Sequence, residues 1–154
     1  MRIRSATVED VQAVLPMVRA LCAMHGEMDS MRYGFLSDVV ERYARWLPER
    51  AADARSVFVV AETERVVGFL VATVEKNIPI YTLGEFGFIH DVWVDPRARG
   101  AGAARGMVSE AVAKFAAMGV KQVRLETAAA NDGARKMFAA CGFRVGAVEM
   151  VREQ

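Results

Sequence analysis

"FGFIHDVWVDPRARGAGAARGMVSEAV", Phe86 to Val112, decides how this chain is read. It opens on aromatic and β-branched residues, as a strand does. It closes on Met107, Val108, Ala111 and Val112, which with Phe115 recur at helical spacing. Between these halves stand Gly100, Gly102 and Gly106, fringed by Arg97, Arg99 and Arg105. Glycine inside a helix costs roughly 1 kcal/mol relative to alanine, so glycines at a helix start need a reason. The first turn of a helix carries N–H groups with no intrahelical partner and the positive end of the macrodipole, which together attract anions. Glycines let a phosphate come close, and arginine's planar fork suits its oxygens. A bound phosphate is the expectation for all three glycines.

Next downstream is "VRLET", residues 123–127, a further strand. A strand, a crossover helix and a second strand make parallel neighbours. Upstream, "SVFVVAE" and "RVVGFLVATVE" form a hairpin turning at Thr63 and Glu64, and with "LGEFGFIHDVWVD" they give three antiparallel strands. The chain begins with a short strand around Ile3. A helix capped by Thr7 follows, with Val11, Val14, Leu15, Val18, Leu21 and Cys22 on one face, and Pro16 is expected to kink it. A polar loop, "MHGEMDSMRYG", leads to a second helix from Leu36 whose stripe is Leu36, Val39, Val40, Tyr43, Trp46 and Leu47, with Pro48 as its stop. Gly119 caps the helix after the glycine loop. Asn131 caps a last helix carrying Ala134, Met137, Phe138 and Cys141, ended by Gly142, and "FRVGAVEMVR" supplies one or two final strands. The order implies one mixed α/β domain over residues 1–154: a mostly antiparallel sheet of six to seven strands, about four helices, and a parallel pair in the middle.

Apolar residues make up 53% of the chain, charged residues 25%, and the formal net charge is +1. That balance excludes disorder, and the scattered basic residues give no footprint for nucleic acid or an anionic membrane. "MRIRSATVED" lacks the apolar core of a signal peptide, and no apolar run approaches the ~20 residues of a membrane span, so a cytoplasmic location is expected. Cys22 and Cys141 are too few and too far apart for a thiolate zinc site, so they read as reduced thiols and no metal is expected.

Three phosphate-binding patterns compete for the loop. A Walker loop fails for want of Gly-Lys-Ser or Gly-Lys-Thr. A dinucleotide fingerprint has an acid, Glu126, at the right distance, but Arg105 holds the third-glycine position, "DPRAR" separates strand from loop, and no second nucleotide-binding half exists. The third is coenzyme A. "VWVDPRARGAGAARGMV" resembles the acyl-CoA-binding segment of the GNAT N-acetyltransferase superfamily, where a strand ending in V-x-P leads to R/Q-x-x-G-x-G/A and a helix; Arg99, Gly100, Ala101, Gly102, Ala103 and Ala104 match in register. Asn131, Ala134, Met137, Phe138, Gly142 and Phe143 are similar to a second signature, N-x-x-A-x-x-L-Y-x-x-x-G-F.

The resemblance implies a GNAT-like fold whose parallel strands splay apart, with acetyl-CoA as cosubstrate and no metal. It implies that N–H groups from Gly100 to Arg105 hold the pyrophosphate. The pantetheine arm would lie as an added strand along Val92, Trp93 and Val94, with Asn131 bonding it from the other side and Phe138 packing on it. The implied reaction is direct attack of a primary amine, more in keeping with a small molecule than a protein, on the acetyl thioester. It needs a base, because about one alkylamine in a thousand is neutral at pH 7, a deficit of roughly 4 kcal/mol. The candidate bases lie on or beside the splayed strands: Asp91 first and Glu85 second, with His90 and Glu126 behind them. Strict alternation puts Glu85, Gly87, Ile89, Asp91 and Trp93 on one face, unless a bulge shifts the register. Phe138 departs from the family, in which a tyrosine commonly protonates the leaving thiol; a catalytically silent acyl-CoA-binding sensor or structural subunit is the alternative reading. The amphipathic surface expected on the last strands suits a homodimer.

Overall fold

The computed structural model, which describes residues Met1–Gln154, opens with strand β1 (Arg2–Ser5). Helices α1 (Val11–Met28) and α2 (Val39–Ala52) follow, then strands β2 (Ser56–Glu62), β3 (Val66–Lys76) and β4 (Glu85–Val94). Helix α3 (Ala103–Ala117), strand β5 (Val123–Leu125) and helix α4 (Asp132–Ala140) complete the order. The strands form one sheet in the sequence β1-β2-β3-β4-β5. The first four pair antiparallel and β4 pairs parallel with β5, as the strand-helix-strand unit requires.

Alternation along β2 sorts the core into two layers. Val57, Val59 and Ala61 face α3, where they meet Met107, Val108, Ala111 and Phe115. Phe58 and Val60 face the other way, toward Val14, Val18 and Leu21 of α1 and Leu47 of α2. Each large side chain removed from water contributes roughly 1.5–3 kcal/mol, and these residues make the sheet a rigid platform buried on both faces.

Several sequence expectations are corrected. The sheet has five strands rather than six to seven, and the parallel pair lies at its edge rather than in its middle. The segment read as final strands, 143–152, forms none: Val145, Val148 and Met150 are exposed and pack on neither core layer, Gly146 interrupts the run, and Glu149 accepts from Arg32 at 2.6 Å. The homodimer expectation loses the strand surface on which it stood. Pro48 does not stop α2, which continues to Ala52; buried Leu47 carries the helix past the lost backbone bond, and the turn comes at Asp53, whose carboxylate accepts from Arg55 N and Ser56 Oγ. Leu36 lies before α2, exposed, rather than in its stripe. Helix α1 runs unbroken through Pro16, which sits on its exposed side. No helix is long and apolar enough to cross a membrane.

One close approach sets the spacing between α3 and the sheet. The Phe115 ring lies directly over Gly87, so that a Cβ there would stand 2.7 Å from its carbons. Replacing Gly87 with alanine is expected to cost about 1–3 kcal/mol by overpacking. Urea unfolding should show a lower midpoint with an unchanged slope; an unaltered midpoint would mean that Phe115 is free to retreat.

Candidate active site

The site begins where β4 loses a neighbour. β4 pairs with β5 only from Gly87 to Ile89, opposite Val123 to Leu125, whereas its pairing with β3 continues to Val94. Beyond Ile89 the edge of β4 turned toward β5 is therefore open. The same place carries an irregularity on the other edge: Val71 pairs with Asp91 but Ala72 pairs with Ile89, which leaves His90 as an extra residue. Such a bulge puts two consecutive side chains on one face. Gly87 and Ile89 face α3, but Asp91 and Trp93 join His90 on the face of α1 and α2, so strict alternation along β4 is overturned.

Asp91 is enclosed by protein yet keeps a partly accessible edge. Tyr43 of α2 donates its hydroxyl to Asp91 Oδ2 at 2.8 Å. Oδ1 receives no hydrogen bond from the protein and stays open to solvent. Burial pushes the Asp91 carboxyl up to about 6, against the opposing pull of the Tyr43 hydrogen bond. The same enclosure raises the Tyr43 phenol, with the Asp91 charge adding to it. Cys22 of α1 is pushed up to about 11 by burial and the Asp91 charge. Tyr43 stood in the sequence only as one member of an apolar stripe. The signal that could have singled it out is that a tyrosine on a buried stripe needs a partner for its hydroxyl.

His90 has other company. Its Nε2 lies 2.6 Å from Thr73 Oγ1, which donates to Glu75 Oε1, also at 2.6 Å. With the hydroxyl proton on Glu75, Nε2 is assigned the ring proton and Nδ1 is left as the acceptor. Desolvation lowers the His90 pKa, so the ring is neutral at pH 7. It borders a cleft of about 390 Å³ that lies between the end of α2 and Thr73–Lys76 of β3 and reaches Glu85. Asp91 does not line that cleft; it stands at the head of the gap between the strands. Glu85 lies at the far end of β4, paired with Arg55 at 2.7 Å. At roughly 3.3 Å per residue it is about 20 Å from Asp91, so the two acids named from the sequence share no site.

The loop after β4 is built around a short 3₁₀ turn, Pro96–Ala98, capped by Asp95, which accepts from Arg97 N. Gly100 and Gly102 both have φ of +83°, the left-handed region that favours glycine. The main-chain N–H groups of Gly100, Ala101, Gly102, Ala103, Ala104 and Arg105 donate to no protein acceptor. This cradle of unpaired donors at the start of α3 fits a diphosphate. Gly106 has a different reason: its N–H is spent on Gly102 O, and a Cβ would meet Ile3 at 3.2 Å. It serves packing against β1, so the phosphate reading is withdrawn for it. Arg99 folds back, its Nε donating to Val94 O at 3.1 Å and its guanidinium lying 4.9 Å over the Trp93 ring. The Trp93 side chain is buried on the α1 face and its main-chain groups face Phe69 of β3, so it is Val92 and Val94 whose main-chain groups turn to the gap. Asn131 caps α4 by accepting from Ala134 N, with its amide N–H groups left over. Phe138 is buried in the α3 layer, edge-on to Phe143 at 5.8 Å.

The model of the acetyltransferase (GNAT) family matches residues 23–143. Among solved structures, a mutant of the BH1408 protein from Bacillus halodurans superposes with a TM-score of 0.87 at 20% identity, covering 100% of this chain and 99% of that one. A predicted acetyltransferase from Clostridium acetobutylicum, solved with acetyl-CoA, gives 0.76 at 18% identity over 99% and 95%. Glucosamine-6-phosphate N-acetyltransferase from Arabidopsis thaliana gives 0.71 at 22% identity over 99% and 97%. No curated protein matches the sequence.

The enclosure of Asp91 has a pH signature. Its folded pKa lies above the ordinary carboxyl value, so the folded state holds this proton more tightly than the unfolded chain does, and stability is lost as pH rises from about 4 through about 6. Replacing Asp91 with the neutral isostere asparagine should therefore raise stability at pH 7, by up to about 3 kcal/mol, and leave it unchanged below pH ~4. Thermal melting across pH 3.5–8 measures this; equal melting temperatures at pH 7 would show the carboxylate to be well solvated.

Proposed function

The chain belongs to the acetyltransferase (GNAT) family, and we propose that it transfers an acetyl group from acetyl-CoA to the primary amine of a small molecule, the amine attacking while both substrates are bound. One observation supports this reading: the N–H groups from Gly100 to Arg105 find no acceptor in the protein, and they follow the strand that parts from β5 after Ile89, two residues before Asp91. Those donors, supplemented by Arg105, would hold the pyrophosphate of the cofactor. The open edge of β4 from Val92 to Val94 would pair with its arm, and Asn131 would close on it from α4. The activity on an amino sugar phosphate in the name of the Arabidopsis relative supports a small amine as acceptor.

Acetyl-CoA supplies an activated acyl carbon. The amine nitrogen bonds to that carbon, its proton passes to Asp91 Oδ1, and the carbon–sulfur bond breaks with its electron pair on sulfur. A carboxylate titrating near 6 is a better match to neutral pH than an ordinary one, and it is still ionised at pH 7. A main-chain N–H near Val92 would stabilise the oxyanion. Phe138 has no proton to give. A thiol that behaves like cysteine can depart as thiolate at pH 7 for about 2 kcal/mol, after which water protonates it.

The test is a calorimetric titration with acetyl-CoA followed by an amine panel read through free thiol. Acetyl-CoA should bind and at least one amine should release thiol. Gly102→Ala, which puts a methyl group into the cradle, should weaken binding about tenfold. Asp91→Asn should lower kcat by about 10²–10⁴-fold and abolish the acid limb near pH 6. Binding without thiol release over the whole panel would leave the silent acyl-CoA sensor, the reading that the buried Phe138 favours.

A further inference from the structure

Among the side chains around the gap, one buried hydroxyl is bonded to the proposed base and has no role in the reaction as written. Tyr43 sits in the second turn of α2, on the stripe that packs against the sheet. Its ring meets Trp46 edge-on at 5.7 Å, and Trp46 in turn meets His90 at 5.3 Å. These contacts hold the phenol in place, and its hydroxyl makes one hydrogen bond, to Asp91 Oδ2. A carboxylate can accept on both oxygens. Here one oxygen is tied to α2 and the other is left without a protein partner at the edge of the gap.

We propose that Tyr43 is the positioning residue of the acetyl transfer: its hydroxyl clamps Asp91 Oδ2 and thereby presents Oδ1 to the attacking amine. The inference rests on the reading of Asp91 as the base. Tyr43 keeps its own proton throughout; the proton that moves is the amine's, and it goes to Oδ1. The clamp does two things. It removes the rotation by which the carboxylate could turn away, since Asp91 has no second anchor in the protein. It also stabilises the ionised form that accepts the proton, because a phenol donates to a carboxylate more strongly than to the neutral acid. Three groups face Asp91 from its neighbours: Tyr43 from α2, Cys22 from α1 and His90 beside it on β4. Cys22 is protonated and His90 is neutral at pH 7, with His90 engaged by Thr73 and Glu75. Tyr43 is thus the only group bonded to the carboxylate, and the bulge at His90 is what brings the two together.

Tyr43→Phe keeps the ring and removes the clamp. The Asp91 titration, followed by ¹³C NMR of aspartate-labelled protein, should move up by about one pH unit. With the accepting amine, the acid limb of kcat/KM should move with it, so that the rate at pH 6 falls about fivefold more than the rate at pH 8. The KM for acetyl-CoA should stay the same, and in an Asp91→Asn background the Tyr43→Phe change should cost no further activity. A purely structural tyrosine would lower the melting temperature and leave both titrations in place, which would overturn the proposal, as would a full second loss in the double variant. The NMR titration needs no substrate. If it moves while wild-type protein transfers acetyl to no amine, the clamp is upheld and the transfer reading fails. If wild-type protein transfers acetyl and neither titration moves, the clamp is refuted and the transfer reading stands.

Discussion

Successive residues of a strand aim their main-chain groups to opposite sides, so a strand inside a sheet needs a partner on each side, and in this molecule β4 runs out of partners on one side after Ile89. The rest of the site depends on that shortage. β5 is three residues long, so the two parallel strands share a ladder only at their first ends and then part. The main chain beyond the parting is rigid, because β3 and both core layers hold it from behind, yet its outer edge has no strand beside it and only the Val94 carbonyl is met, by Arg99. An edge fixed by the core and open to an extended ligand is what strand-like recognition of a cofactor arm needs. The loop that follows continues the theme with a run of N–H groups that have no acceptor in the protein.

The bulge at His90 decides what else the gap contains. Without the extra residue Asp91 would point into the α3 layer, among Ile89, Met107 and Phe115, where a carboxylate has no partner. With it, the side chain turns to α2 and meets a hydroxyl. The carboxylate is still largely withdrawn from water, a cost of a few kcal/mol that only a well-filled core tolerates. The layers on either side of the sheet supply that margin, with Phe69, Leu70, Val71 and Phe115 among the side chains they bury completely.

Much of the fold was legible in the sequence for identifiable reasons. Alternating runs marked β2, β3 and β4, helical spacing marked α1 and α3, and Gly119 and Gly142, both at positive φ, ended their helices where glycine is preferred. The glycine loop was legible because backbone donors at a helix start have a sequence signature, and Gly100 and Gly102 carry it. Gly106 does not, since its need comes from Ile3, about a hundred residues upstream, and no local pattern reports such a contact. The proline at position 48 misled for a related reason: the tertiary contacts of Leu47 outweigh a local stop signal. The final strands misled because alternation states a capacity to pair, and pairing also needs a neighbour. The partnership of Tyr43 with Asp91 was not legible, since it depends on a one-residue slip in register between β3 and β4 that leaves no mark on composition or period.

Arg32 joins three distant parts of the chain. From the loop between α1 and α2 it reaches Glu149 in the tail and Glu126 just past β5, so it ties a belt of backbone across the end at which the parallel strands diverge. The charges in this knot are exposed, and ion pairs of that kind hold weakly in water and are screened by salt. The floor of the gap and its rim therefore obey different physics. The floor yields only when the core melts, while the rim, held by screened charges, slackens with each rise in ionic strength, so brine is felt at the rim long before it is felt at the floor.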